Sequence, residues 1–344
     1  MTQSRTRIQA PQLARTDPAW RNGILVLAAL AAAALLVRLV NGAGVPAVQN
    51  FILVFGSLLV EALPFIALGA AVSALIEVFI PASAFARLAR LPRPLQMPVA
   101  GLGGFAFPVC ECGSVPVARR LLLKGLTPAA AITFMLAAPI LNPVVLIATA
   151  VAYRGRDILW PMVLGRAGLG LVVAMAVGWV MATRSRGDLL RDADPARGAG
   201  HDHGASGDSR EGRWARYFGQ LGADFSMLTK YLIVGAAVAS ALQTFVPQSV
   251  IGGVAETPIL SVLALMVLAA MLSLCSESDA FVAASFVQFG MAAQLGFLVV
   301  GPMIDAKLGV LYAGTFNRRF AVTVTTAVFA VTLAGSLWMQ VLFG

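Results

Sequence analysis

Apolar runs long enough to cross a bilayer recur along this sequence, and they leave few folds open. The first is GILVLAALAAAALLVRLV (23–40), and the second, about 51–79, carries Glu61, Pro64 and Glu77. Others lie at about 98–118, 127–152, 158–182, 218–246, 258–290, 292–316 and 320–342. Roughly 20 apolar residues cross the hydrocarbon core as a helix, and in lipid only helices and closed barrels satisfy their own backbone. Composition agrees, with 59% of 344 residues hydrophobic and 12% charged, about half the charged share of a soluble domain. The expected fold is an all-α polytopic membrane protein.

The net charge of +9 raises the question of a nucleic-acid partner. Its distribution answers it. The basic residues gather between apolar runs, at Arg87, Arg90 and Arg93, at Arg119, Arg120 and Lys124, across 184–216, and at Arg318 and Arg319. Excess Lys/Arg beside spans marks the cytoplasmic side, so the charge reads as topology and no nucleic-acid partner is expected. The first 22 residues are polar, and the run after them has no small-residue cleavage pattern. The N-terminus is expected in the cytoplasm.

The two halves of the chain resemble each other. GAAVSALIEVFIP (69–81) matches GAAVASALQTFVP (235–247), VCECGSVPVA (109–118) matches LCSESDAFVA (274–283), and APILN (138–142) matches GPMID (301–305). Three ordered matches at offsets of 163 to 166 residues indicate an internal repeat. If 98–118 crossed fully, Arg119, Arg120 and Lys124 would fall outside, against the positive-inside bias. If it turns back at the polar CECGS stretch, they stay inside. Each half then holds three spans and one re-entrant helical hairpin, and the halves are inverted. Arg154 and Arg156 are the exception, in a short outside loop. The expected organisation is a cytoplasmic tail (1–22), an extra span (23–46), a first repeat (47–182), a polar cytoplasmic linker (183–217) and a second repeat (218–344). In transporters built from inverted repeats with broken helices, the substrate site lies near the midplane where the halves meet.

All three cysteines fall at the proposed hairpin tips: Cys110, Cys112 and Cys275. A Cys110–Cys112 disulfide is strained at that spacing, whereas sulfur ligands select soft, thiophilic centres. Around them lie Glu111, Glu277 and Asp279, and carboxylates at membrane depth face a pathway or a partner. Ser114 and Ser278 offer hydroxyls for a ligand or for capping a helix. Asn142 and Asp305 follow Pro139 and Pro302, where a polar side chain either fills the backbone gap or coordinates a ligand. Glu61 lies near the middle of its span and is the candidate proton carrier. Lys230 is expected to pair with Asp224 or with a second-half carboxylate. No resident metal and no cofactor are expected, and His201 and His203 read as solvated linker residues.

The run FPVCECGSVPVARRLLLKGLTPAAAITFMLAAPILNPVV (107–145) resembles the signature of a bacterial predicted-permease family that includes YraQ-type proteins and ArsP-type organoarsenical efflux permeases. LCSESDAFVAASF (274–286) is similar to that family's second cysteine segment. The resemblance covers nearly all of the chain from residue 50 onward. It implies a multi-pass permease of the bacterial inner membrane, and in the ArsP-type branch it implies that cysteines bind trivalent organoarsenicals. By position these are Cys110, Cys112 and Cys275. Glu111 departs from the small polar residue expected between the paired cysteines and adds a negative charge. The expected activity is secondary transport of a small thiophilic solute, probing outward efflux first, with no enzymatic role. A soft-metal or reduced-sulfur transporter and a membrane thiol-redox protein are the alternatives. The partners are the solute and the bilayer, with a homo-oligomer or an accessory subunit as further candidates.

Overall fold

Helix stops in this chain fall where proline and small polar residues interrupt apolar sequence. The computed structural model describes residues 46–80, 92–106, 109–184, 189, 210–245 and 257–343. The expected tail at 1–22, the span at 23–46 up to residue 45, both histidines and most of the linker lie outside these. Twelve helices are present among the described residues: α1 (Pro46–Phe79), α2 (Arg93–Ala106), α3 (Glu111–Leu123), α4 (Pro128–Leu141), α5 (Pro143–Ala152), α6 (Leu159–Met181), α7 (Arg210–Phe245), α8 (Pro258–Leu272), α9 (Asp279–Ser285), α10 (Met291–Val300), α11 (Ala306–Thr315) and α12 (Arg318–Phe343). The described residues form an all-helical fold. Among them five stretches are long and apolar enough to span a membrane: Pro46–Phe79, Pro128–Ala152, Leu159–Met181, Gly212–Thr244 and Arg318–Val341. It is a multi-pass membrane protein.

Four of the apolar segments are each divided into two helices. The segment 98–118 is divided between α2 and α3, and 258–290 between α8 and α9. At 1.5 Å per residue, the 14 residues of α2 and the 13 of α3 each reach only about 20 Å, short of the ~30 Å hydrocarbon core. The segments 127–152 and 292–316 are also broken, at Asn142 and at 301–305. Helix α7 begins at Arg210, so residues 210–217 continue a helix where the sequence predicted linker. Their aromatic side chains explain this: Trp214, Tyr217 and Phe218 pack edge-on or tilted against one another, and Phe79 of α1 meets Trp214.

At the centre stand α4 and α10. Every residue of α4 from Ala129 to Leu141 is buried, and so is every residue of α10 from Ala292 to Val300. Helices apolar all round belong inside. α4 packs between α2 and α6, and α10 between α8 and α12.

Two glycines at corresponding places in the sequence set close helix approaches. A Cβ on Gly69 of α1 would lie 2.5 Å from the Cα of Gly113 in α3. A Cβ on Gly235 of α7 would lie 2.9 Å from the Cα of Lys307 in α11. Both open a GAAV tetrapeptide, so the strongest internal match in the sequence coincides with two backbone-to-backbone contacts. Small residues at such contacts let membrane helices approach closely. Lys124, just past α3, donates from Nζ to the carbonyls of Ile76, Glu77 and Ile80 at 2.7 Å each, closing the C-terminal end of α1.

Gly69→Ala is expected to lower thermal stability in detergent by about 1–3 kcal/mol, the usual cost of overpacking. Gly56→Ala, on the same helix with open space at the Cβ position, should leave it unchanged or higher. Equal melting of the two variants would show that the α1–α3 contact is not close-packed.

Candidate functional site

The four helix breaks bring the chain's chemically active side chains together. α3 begins at Glu111, with Cys110 in extended conformation before it. Ser114 Oγ donates back to the Glu111 carbonyl at 2.9 Å, bonding within its own helix turn. In the second half α8 ends on Ser273, which adopts the left-handed conformation (φ 49°). The chain then runs through Cys275, Ser276, Glu277 and Ser278 into α9. Ser278 Oγ donates to the Cys275 carbonyl at 3.1 Å and reaches Glu61 Oε1 of α1 at 3.4 Å.

The two cysteine segments meet. Ser276 Oγ donates to Glu111 Oε2 at 3.1 Å, across 165 residues of sequence. Aligning VCECGSVPVA with LCSESDAFVA puts Glu111 and Ser276 at the same position, so counterparts from the two halves touch. Cys110, Cys112 and Cys275 are all buried free thiols. Cys112 and Cys110 lie within hydrogen-bonding reach of each other.

Two cations that the sequence reading did not single out complete the site. Lys307, buried in the first turn of α11, lies 3.7 Å from Glu111 Oε1 and 3.7 Å from Asp305 Oδ2. It is within electrostatic range of Cys112 and Cys275 as well. Arg166 of α6 is 0% exposed. Its Nη1 donates to Thr149 Oγ1 at 2.8 Å, and its Nη2 to Asp279 Oδ2 at 2.8 Å and to the Ser276 carbonyl at 3.1 Å. Arg166 thus ties α5 and α6 of the first half to the second cysteine segment. A charged residue within an apolar run needs a partner, and that signal was available for both. Their partners, 113 residues away for Asp279, were not.

Asn142 and Asp305 act as matching helix caps. Asn142 Oδ1 accepts from the Val144 N–H at 3.0 Å at the start of α5. Asp305 Oδ1 accepts from the Leu308 N–H at 2.6 Å at the start of α11. Asn142 and Asp305 each leave another polar atom over, and Oδ2 of Asp305 faces Lys307 Nζ at 3.7 Å without a hydrogen bond. Lys230 does not take Asp224. Instead Asp224 accepts from Arg120 Nη2 at 2.9 Å, Ser73 Oγ at 2.8 Å and Gln220 Nε2 at 2.7 Å, joining α3, α1 and α7. A helix turns about 100° per residue, so six positions put Lys230 off the face that carries Asp224.

Glu111 and Asp305 face Lys307, Asp279 faces Arg166, and Glu61 and Glu277 lie within electrostatic range of Cys275. Four carboxylate oxygens in this cluster have no hydrogen-bond partner: Glu111 Oε1, Glu277 Oε2, Asp279 Oδ1 and Asp305 Oδ2. Native buried polar atoms are nearly always satisfied, so these mark acceptor capacity held in reserve. Among the described residues no set of three His, Cys, Asp or Glu side chains is arranged to hold a metal ion.

Residues 47–341 match the family ArsP_1, described as predicted permease. The chain belongs to that permease family. It is 38% identical over 289 residues to the UPF0718 protein YcgR of Bacillus subtilis (strain 168), covering 83% of this chain and 96% of that one. It is 34% identical over 272 residues to a Streptococcus mutans serotype c protein, covering 78% of this chain and 87% of that one. That protein is named "Putative two-component membrane permease complex subunit". No solved structure matches the chain. The matched region takes in every residue of the candidate site.

Arg166→Met is expected to destabilise the fold by about 3–5 kcal/mol, because it strands the Asp279 carboxylate. Adding Asp279→Asn should recover much of that loss. Thermal unfolding of the single and double variants checks it, and additive losses would mean that Arg166 does not compensate Asp279.

Proposed function

We propose that this family member is a secondary transporter of a small thiophilic solute, with trivalent organoarsenical efflux as the first substrate class to test. The observation that carries this reading is the Ser276–Glu111 contact, which joins the two cysteine segments at counterpart positions. Cys110, Cys112 and Cys275 are the proposed soft ligands. Sulfur bonds to thiophilic centres are strong yet exchangeable, as a carrier requires, and thiolates are the ligating form. Lys307 supplies positive charge beside Cys112 and Cys275. The unpartnered oxygens of Glu111, Glu277, Asp279 and Asp305 supply hydrogen-bond acceptors. Glu61, which receives the Ser278 hydroxyl, is the proposed proton carrier.

The architecture we propose is an inverted repeat of 47–182 and 218–344 about this site, in a bacterial inner membrane with the N-terminus inside. The helix order supports it. A long helix, a divided hairpin around cysteine, a span broken after proline and a second long helix occur in each half (α1 to α6, then α7 to α12). The position of Lys124 supports the first hairpin: α2 follows the C-terminal end of α1, and α3 ends on that same end of α1. Alternating access then follows from one half rocking on the other. The name of the Streptococcus mutans relative favours a second subunit as partner, which the flux assay below would reveal as a requirement for co-expression.

In everted vesicles, wild-type protein is expected to accumulate a trivalent organoarsenical, and Cys110→Ser/Cys112→Ser to lose that flux by tenfold or more, on the order expected for removing direct ligands. Flux that survives the serine changes would remove sulfur ligation from the mechanism. A cysteine introduced at Leu123 is expected to react with an impermeant thiol reagent from the cytoplasmic face, and reaction from outside would eliminate the hairpin.

A further inference from the structure

A basic cavity lies where two spanning helices end, away from the cysteine site. It measures about 430 Å³ and is lined by Met181, Arg184, Leu189 and by Asn317 through Phe320 with Thr323. This volume falls in the usual range for small-ligand sites. Met181 is the last residue of α6 and Arg318 the first of α12, both candidate spans, so the cavity sits at the level of a membrane surface. Leu189 is held at it, because the Asn317 N–H donates to the Leu189 carbonyl at 2.9 Å. Its floor is aromatic: Phe320 stacks on Phe316 at 4.2 Å and meets Tyr312 edge-on at 6.0 Å.

The charge that the described residues bring to this cavity is one-sided. Arg184, Arg318 and Arg319 line it, and among the described residues no carboxylate does. Among the described residues none of the three forms an ion pair with an acidic side chain. The Asn317 carbonyl accepts the first helical bond of α12 from Ala321, so the first turn of that helix opens beside the arginines with its partial positive charge. Flanking arginines alone would serve topology by standing in water. These instead border a half-open cavity with an apolar wall of Met181, Leu189 and Phe320.

We propose that this cavity binds a phosphate group, and that its position and apolar wall favour the headgroup phosphate of an anionic phospholipid as the source. Guanidinium forks match phosphate oxygens in geometry as well as charge. Basic pockets between membrane helices at the cytoplasmic face recognise anionic headgroups by the same chemistry. The apolar wall receives the glycerol and the first acyl carbons. The site is independent of the solute proposed for the cysteines, so one can fail without the other.

The test is thermal unfolding of the full chain in detergent, titrated with phosphatidylglycerol, with phosphatidylcholine, and with soluble glycerol phosphate. The expected result is a rise in Tm with phosphatidylglycerol and none with phosphatidylcholine. In Arg184→Gln/Arg318→Gln/Arg319→Gln the half-saturating phosphatidylglycerol should increase by roughly a hundredfold, at about a factor of five per arginine. Arg213→Gln/Arg216→Gln, exposed arginines that do not line the cavity, should titrate like the wild type. A rise with glycerol phosphate that the triple change abolishes supports the phosphate site with a soluble source. The proposal is overturned if no phosphate-bearing compound raises Tm, if the rise persists in the triple variant, or if the control pair removes it equally.

Discussion

Lipid offers no hydrogen bonds, so wherever a helix breaks inside the membrane the protein must close the gap itself. The apolar segments 127–152 and 292–316 each break after a proline, and a carboxamide in one case and a carboxylate in the other take the freed N–H groups: Asn142 for α5 and Asp305 for α11. The Ser273 hydroxyl accepts from the Ala306 N–H at 3.0 Å, so the end of α8 also closes the start of α11. Ser114 and Ser278 return bonds to carbonyls within their own turns. These repairs place polar side chains at each break, and central packing of α4 and α10 brings the breaks to one place. The candidate site is in this sense a product of backbone accounting before it is anything else.

Charge is the second constraint. Glu111, Asp279 and Asp305 are almost completely buried, and an isolated buried carboxylate is costly. Lys307 and Arg166 offset part of that cost in different ways. Arg166 is held by three close hydrogen bonds through Nη1 and Nη2 and braces the second cysteine segment against α5 and α6. Lys307 stands 3.7 Å from each of two carboxylates, too far for good hydrogen bonds, and is therefore the looser of the two. A site with one rigid cation and one loosely held cation can exchange partners at the loose one while the other keeps its shape.

Much of this could be read in the sequence, for physical reasons that differ by residue. Apolar run lengths marked the spans because bilayer thickness fixes helix length. The cysteine segments stood out because Cys-Glu-Cys and Cys-Ser-Glu-Ser-Asp are polar where their surroundings are not. The GAAV match proved meaningful because glycine is required where backbones touch. Partner choice was hidden: Asp224 is bound by Arg120, 104 residues earlier, and nothing local announces that. The capping roles of Asn142 and Asp305 were one of two readings that proline leaves open. Helix α7 extends to Arg210 because aromatic residues, which hydropathy scores as interruptions, pack on one another there.

The ammonium of Lys124 holds the carbonyls of Ile76, Glu77 and Ile80 at the end of α1, while Gly69 presses α1 against Gly113. One attachment lies past the end of α3 and the other lies two residues from Glu111. A shaft clamped at both ends turns as one piece with whatever it is clamped to. Tilting α1 must therefore carry Glu111 with it, converting a displacement at the rim of the protein into a pull on the carboxylate that Ser276 and Lys307 share.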